Sequence, residues 1–430
     1  MARVLTVNHH SLSRAFSFPH SWKFTLGVLV IAQILSAVGF SMIFPFLPLY
    51  IESLGSAGGH STELLAGLVI SVQGITMMIA APFWGAVADR FGRKKMIMRA
   101  LFGGAITLAL MGFVQSAEQL ILVRAIQGII TGTVSANNAL VAAATPRHRV
   151  GFAMGTLQVG LWAGVAVGPL LGGVLADLFG YSVPFVVTAV LLLAGGMIVM
   201  LGVNEDFSAP QRCEDFHARA IFRGWKSIVQ TSGVGMVLFL RFLSSLARVI
   251  IVPIAPLFVV SLIARETDSN NTYAGLVMAV SAATSTFGAV YLGNLGDRIS
   301  HRKVLIYCAI AATALYVPQA FVGDVWQLLF LQGLAGVAAG GLVASPSALL
   351  SRYTDKDTAG AVYGIDNSVV ASSKAVAPIF GASVAILLGM RGTFIAAALV
   401  FALIALAAWH LLPSDALAAT PNRRARPAGA

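Results

Sequence analysis

Long apolar runs separated by short polar breaks fill almost the whole chain of 430 residues. Each run has about twenty residues or more, which is the length a helix needs to cross the hydrocarbon core of a bilayer. The pattern therefore predicts twelve membrane-spanning helices, spans 1 to 12. We place them at 24–50, 64–87, 96–115, 119–143, 152–178, 182–203, 231–262, 273–295, 303–322, 325–350, 359–389 and 392–412.

The composition agrees with an all-α membrane protein. Hydrophobic residues make up 57% of the chain and charged residues 10%, whereas soluble proteins carry about 25% charged residues. The first apolar run is too long for the core of a cleaved leader, so we expect it to be retained as span 1. Cys213 and Cys308 lie in a polar stretch and an apolar run, and this pattern predicts no disulfide framework.

A polar stretch divides the twelve spans six and six. We therefore expect an N-terminal six-helix bundle over 1–203, a linker over 204–230, and a C-terminal six-helix bundle with a basic tail over 231–430.

Basic residues predict the orientation in the membrane. Almost all the Lys and Arg residues outside the spans lie in the tails, the linker or the even-numbered loops, with Arg265 and Arg391 as the exceptions. Cytoplasmic loops collect such residues, so we expect both termini and the linker to be cytoplasmic and the protein to lie in a bacterial inner membrane. The formal net charge of +11 then favours an anionic inner leaflet as partner rather than nucleic acid.

Two charged stretches, "WGAVADRFGRKK" and "LGNLGDRISHRK", repeat one pattern at an offset of 208 residues. An internal repeat this long indicates a duplicated architecture. Because each half holds an even number of spans, both halves should share one orientation, related by an axis along the membrane normal. The matched pairs are Gly85 with Gly293, Asp89 with Asp297, and Arg90 with Arg298.

The repeated stretch resembles the signature loop of the major facilitator superfamily. The resemblance implies a substrate cavity between the two bundles, alternating access, and a conformational latch at the loop. The second copy departs from the pattern at Ser300 and His301. The alternative is a basic loop that sets topology without a latch. The latch residues would be Gly85, Asp89, Arg90, Gly92, Arg93 and Lys94 in the first copy, and Gly293, Asp297 and Arg298 in the second.

Span 5 carries glycines at a spacing of four residues. Such a row lets another helix approach closely, and a proline within it bends the helix. The run also resembles the antiporter motif of the superfamily, which implies an exporter that exchanges substrate for protons. Ordinary packing of small residues is the alternative. The motif residues are Gly160, Gly164, Gly168, Pro169, Gly172 and Gly173.

Arg124 lies inside span 4, where a charge costs about 2.5–3.5 kcal/mol on insertion scales. With Gln127 and Gly128 it resembles the span 4 motif of the superfamily. That motif implies a role in proton transfer or substrate binding, and a structural salt bridge is the alternative.

Asp366 is the one acid well inside a predicted span, and we predict that it carries the coupled proton. Desolvation opposes the charged form of such a carboxyl, and a nearby cation favours it. The alternative is permanent neutralisation of an arginine. Arg241 and Arg248 lie seven residues apart on one face of span 7, and Lys374 lies in span 11. Because cations outnumber acids within the spans, an organic anion is an alternative substrate.

Polar and aromatic residues within the spans are candidates for the substrate cavity. An apolar pocket with a few polar groups suits drug-sized amphipathic ligands. The candidates are Gln33, Phe44, Gln73, Asn137, Asn138, Trp162, Arg241, Arg248, Tyr363 and Lys374.

The predicted function is proton-coupled efflux of small amphipathic compounds by a monomer that needs no cofactor besides the proton gradient. The sequence has no phosphate-binding loop, metal-ligand spacing or nucleophile elbow, which argues against ATP drive and against an enzyme. Uptake or facilitated diffusion of a metabolite is an alternative. A sensor without transport is a third reading, although we find no long regulatory extension.

Overall fold

A computed structural model describes residues 21–56, 58–205, 233–263, 269–353 and 359–412. Within these ranges the chain is helical and contains no strand. The two terminal tails and the linker from residue 206 onward lie outside the described residues.

Spans 1 to 10 each overlap a helix or two consecutive helices, and spans 11 and 12 share one helical run, which confirms the all-α fold. In the first half the helices are Trp22–Met42, Leu47–Leu54, Thr62–Phe91, Arg93–Met111, Ala117–Ile130, Thr133–Ala144, Val150–Phe179 and Ser182–Gly202. A single 3-10 turn occupies Arg147–Arg149. In the second half they are Val234–Val249, Ala255–Leu262, Asn270–Ile299, His301–Gln319, Val325–Tyr353 and Ala359–Leu411.

Breaks within the spans follow the glycines and prolines. Spans 1 and 7 are each interrupted before a short second helix, and Pro48 and Pro256 occupy the first turns of those helices. Proline suits that position because it lacks the N–H that would be unpaired there. Spans 11 and 12 form one continuous run, which turns at Gly389, where φ is 77°. Glycine adopts this backbone conformation without steric cost.

Seven of the described helices are long and apolar enough, by length and composition, to cross a membrane. This number is lower than twelve because spans 4 and 7 are split into shorter helices and spans 11 and 12 share one. Spans 3 and 9 also begin with basic residues. Large apolar side chains such as Ile79, Ile106 and Leu387 are exposed on the helices, as expected where acyl chains contact the protein.

Buried apolar side chains form two clusters, one drawn from residues 26–203 and the other from residues 234–412. Each half therefore packs around a core of its own. Aromatic rings contribute at corresponding places, with Tyr50 against Phe185 in the first half and Phe258 against Phe394 in the second.

The two halves meet where span 2 packs on span 11 and span 5 on span 8. Gly67 lies against Pro378, Gly74 against Ala375, and Gly275 against Pro169. These contacts run from the predicted periplasmic end to about the middle of the spans. The structure therefore has the predicted periplasmic end closed.

Candidate functional site

The first basic loop is anchored to the end of span 6. Gly92 turns the chain with a φ of 96°, and the helix of span 3 begins at Arg93. The Glu205 carboxylate accepts hydrogen bonds from the backbone N–H groups of Arg93 at 2.9 Å and Lys94 at 2.7 Å. A carboxylate there satisfies two unpaired donors and interacts favourably with the helix dipole. Lys94 Nζ donates in turn to the carbonyl of Met200 at 2.8 Å.

The second basic loop repeats this anchor with different chemistry. Ser300 replaces the glycine, has a φ of 153°, and accepts a hydrogen bond from the backbone N–H of Arg302 at 3.1 Å. Arg302 Nε donates to the carbonyl of Ala408 at the end of span 12, at 3.3 Å. Lys94 and Met200 correspond to Arg302 and Ala408 at the offset of 208 residues. The structure thus shows the duplication in contacts as well as in sequence.

Other predicted latch residues make local contacts. The Arg93 guanidinium donates to the carbonyl of Ala139 at 3.2 Å. His301 Nε2 lies 3.0 Å from Asp297 Oδ1. Arg90 and Arg298 are exposed. The side chain of Asp89 and the surroundings of Gly85 lie outside the described residues, and little packs near Gly293. The latch role of this loop stays a prediction.

We expect Glu205→Gln to lower the free energy of unfolding by about 1 kcal/mol, because glutamine keeps one acceptor but loses the charge at the helix N-terminus. Thermal unfolding in detergent measures the change. The matched control is Glu63→Gln in the first turn of span 2, where the Ser61 side chain supplies the cap by accepting from Leu64 N–H. Equal losses in the two variants would contradict the capping explanation.

The span 5 glycines lie directly against span 1. A Cβ at Gly164 would meet Ala37, one at Gly168 would meet Ser41, and one at Gly172 would meet the backbone of Met42. Next to them, a Cβ at Gly173 would meet the backbone of span 8, and the Pro169 carbonyl also lies against that span. Gly160 continues the row against Val30 and Ile34. The motif therefore lies where span 5 packs on both span 1 and the opposite half.

Arg124 is 3% exposed and forms a network with two glutamines. Its Nη1 donates to Gln73 Oε1 at 3.0 Å and to Gln127 Oε1 at 2.9 Å. Its Nε and Nη2 are buried without hydrogen-bond partners. No carboxylate among the described residues forms a salt bridge with it, so the salt-bridge alternative finds no support there. A buried guanidinium with free donors costs free energy until a partner is bound.

A second polar contact joins spans 1 and 4 in the same half. Asn137 Nδ2 donates to Gln33 Oε1 at 2.5 Å, and both side chains are buried. Asn137 Oδ1 has no partner. Of the remaining cavity candidates, Phe44, Asn138 and Trp162 are half-buried. The side chain of Tyr363 lies outside the described residues.

In the second half, Asp366 forms a salt bridge with Arg241. Arg241 Nε lies 3.1 Å from Asp366 Oδ1, and the side chains are 16% and 9% exposed, respectively. Arg241 Nη1 also donates to the carbonyl of Val343 at 2.9 Å. In this conformation Asp366 therefore neutralises an arginine, as the alternative for this residue states. Its role as proton carrier stays a prediction.

Two further cations lie beside this pair. Arg248 is close enough to Arg241 for their charges to interact, and Lys374 interacts with both arginines. Lys374 is exposed and Arg248 half-buried. Three cations and one carboxylate thus share this region, which leaves a local excess of two positive charges in the described structure.

Arg99 is an exception to the grouping of basic residues in the loops. It lies on the second turn of span 3, with its guanidinium 3.5 Å from the centre of the Trp84 ring. Trp84 Nε1 donates to the carbonyl of Ile129 at 2.6 Å. Stacking on an indole stabilises a cation that has left bulk water. The position of Arg99 within the predicted bounds of span 3 was the signal that could have revealed this.

Two hollows in the described structure lie away from these charges. One of about 660 Å³ is lined by spans 9 and 12, including Ile310, Leu406 and Trp409. Another of about 300 Å³ is lined by Phe321 and Phe330. Both open on the apolar outer face, where lipid is the expected neighbour. Among the described residues, no group of three or more His, Cys, Asp or Glu side chains could hold a metal ion.

Two repeated helical halves that enclose buried charges within the membrane define a transporter built by duplication. The family model of the Major Facilitator Superfamily matches residues 29–257 and 237–429. This chain belongs to the major facilitator superfamily.

Curated relatives extend over most of the chain. It is 35% identical to the multidrug resistance protein MdtG of Serratia proteamaculans over 394 residues, covering 91% of this chain and 94% of the relative. It is 36% identical to MdtG of Enterobacter lignolyticus over 386 residues, covering 89% and 90% of the two chains.

Solved structures share the fold at low identity. A bacterial homologue of the human lysosomal transporter Spinster, in an inward-facing and occupied conformation, matches with a TM-score of 0.74 and 13% identity, covering 90% of this chain and 96% of that one. The human organic anion transporter MFSD10 matches with a TM-score of 0.69 and 19% identity, covering 90% and 99%.

Proposed function

We propose that this protein exports drug-like, amphipathic small molecules in exchange for protons. The observation that carries the proposal is the similarity to MdtG multidrug resistance proteins over about nine-tenths of the chain. The span 5 glycines, which resemble the antiporter motif of the superfamily, lie in close contact with span 1. This contact supports the proposal.

Alternating access would use the two halves as rigid bodies. Each half has its own buried core, and the halves touch from the predicted periplasmic end to about mid-span. Opening that end requires span 5 to move from span 8 and span 2 from span 11. Glycine-lined contacts favour such a motion because they involve few interlocking side chains.

Proton coupling would act through Asp366. Protonation removes the negative charge that neutralises Arg241, which leaves a cation facing the charge of Lys374. The conformation that separates or hydrates these cations then becomes favourable. In the first half, the unpaired N–H groups of Arg124 would donate to a polar group of the substrate or to a water molecule.

A second candidate is export of organic anions. Arg241, Arg248 and Lys374 outnumber Asp366 in one region, and Lys374 is exposed. This arrangement favours a ligand with a carboxylate or another acidic group.

We further propose the bacterial inner membrane as the location, with both termini cytoplasmic and anionic lipids at the basic loops. A monomer would suffice for transport, since both halves of the site come from one chain. The proton gradient would be the sole energy source.

Purified protein in proteoliposomes tests the proposal. In vesicles with an acidic lumen, the fraction of the protein whose cytoplasmic face points outward should concentrate a fluorescent cationic or neutral drug inside, and collapse of the gradient should release it. Accumulation that does not depend on the gradient, or flux that only equalises concentrations, would contradict proton-coupled export.

Lys374→Met separates the two substrate classes. If the cations select organic anions, transport of an anionic compound should fall about tenfold, because one charge-assisted contact is worth about 1.5–3 kcal/mol. A neutral compound of similar size is the control. Equal loss for both compounds would indicate a structural role for Lys374 instead.

A further inference from the structure

Asp177 lies in the last turn of span 5 and contacts the opposite half through both carboxylate oxygens. Oδ1 accepts hydrogen bonds from the backbone N–H of Asn271 at 3.1 Å and from its Nδ2 at 2.7 Å. Oδ2 accepts from the backbone N–H of Thr272 at 2.6 Å and from its Oγ1 at 2.6 Å. Four hydrogen bonds therefore cross between the two halves at one residue.

The partners of Asp177 are the first-turn residues of span 8. That helix begins at Asn270, and the side chain of Ser269 at its N-cap makes no capping hydrogen bond. The first N–H groups of a helix lack partners within the helix and carry partial positive charge. Asp177 supplies the missing cap from the other half, through charge-assisted hydrogen bonds that are stronger than neutral ones.

Close backbone packing holds the carboxylate in place. A Cβ on Gly173, one turn before Asp177, would meet the backbone of Asn271, and a Cβ on Gly275 would meet the carbonyl of Pro169. Spans 5 and 8 can approach this closely because both carry glycine at the crossing. The cap therefore forms only while the two helices are in contact.

We propose that Asp177 is a latch that keeps the predicted periplasmic end closed and must release the N-terminus of span 8 before that end opens. The proposal rests on alternating access, which the proposed function requires. It assigns to span 5 a role that the glycines alone do not supply, since glycine permits close approach but contributes no directional bond. When the halves separate, water replaces the carboxylate at the helix terminus, so the latch is reversible.

Asp177→Asn tests the latch with little change in size. The amide loses the negative charge, and its NH₂ group faces donors of Asn271 or Thr272. Because hydrogen bonds to charged groups are worth more than neutral ones, we expect the ratio of closed to open conformations at this end to fall about tenfold or more. Thr272→Val removes only the hydroxyl donor and should shift the ratio in the same direction by a smaller factor.

Distances between spin labels at the predicted periplasmic end measure this ratio directly. His60 and Leu387 are exposed and lie in different halves, so cysteines there can carry the labels, in a background in which Cys213 and Cys308 are alanine. The wild type should show mainly the shorter distance, and Asp177→Asn should add a longer one.

Asp324→Asn is the matched control. Asp324 also caps a helix, accepting from the backbone N–H of Trp326 at 3.3 Å, but both residues belong to the same half. This variant should leave the distance distribution unchanged. An unchanged distribution of distances in both Asp177→Asn and Thr272→Val would overturn the proposal that Asp177 keeps the predicted periplasmic end closed. The measurement needs neither substrate nor gradient, so it tests the latch whether or not the protein exports drugs as proposed.

Discussion

Gly172→Ala is expected to reduce transport at least tenfold and to destabilise the protein, whereas Gly155→Ala on the same helix is expected to leave both near wild-type values. A Cβ at Gly172 would meet the backbone of Met42, which cannot move aside as a flexible side chain can. A Cβ at Gly155 would meet nothing within 4 Å. Overpacking of this kind typically costs about 1–3 kcal/mol.

Drug accumulation in proteoliposomes and thermal unfolding in detergent check the pair. Alanine favours a helix over glycine by about 1 kcal/mol, so Gly155→Ala should be neutral or slightly stabilising. A wild-type transport rate in Gly172→Ala would show that span 1 yields to the added methyl group, and the explanation of the motif by close contact would then be wrong.

Asp366→Asn is expected to abolish the dependence of transport on the pH gradient and to lower stability. The substitution leaves Arg241 beside Arg248 and Lys374 with no carboxylate 3.1 Å away. Breaking a fully buried pair costs about 3–5 kcal/mol. Because these two side chains retain some exposure, we expect a smaller loss of about 2 kcal/mol.

A double variant separates the structural part of this effect from coupling. Arg241→Met combined with Asp366→Leu removes both charges, and such replacements are often neutral or stabilising. We expect unfolding temperatures near wild type but no gradient-driven accumulation. Full coupling in Asp366→Asn would remove this residue as the carrier. A double variant as unstable as Asp366→Asn would indicate that the contact of Arg241 with the Val343 carbonyl carries the stability.

The sequence was sufficient for the helices and the repeat, because span length and the 208-residue offset can be read from the order of residues without knowing how the helices pack. The sequence also identified Arg241 and Asp366 as charged residues within predicted spans. It did not decide which cation would meet the carboxylate, since Arg241, Arg248 and Lys374 are all near mid-span in sequence. Only the packing of span 7 on span 11 selects Arg241.

Asp177 could not be recognised from the sequence for a physical reason. An acid in the last turn of a span, next to a loop, has the pattern of a solvated side chain, and its partners lie 94 and 95 residues further along the chain. Arg99 shows a related difficulty: the sequence places it within span 3, but the stacking on Trp84 that holds it within the protein appears only in the structure.

The two basic loops differ in the residue that caps the helix after each of them. Glu205, at the start of the linker between the halves, caps the helix after the first loop, whereas Ser300 caps the second helix from within its own loop. Displacement of Glu205 would therefore uncap the helix after the first loop and leave the cap of the helix after the second loop in place. The two copies of the repeated loop would thus respond to movements of different parts of the chain.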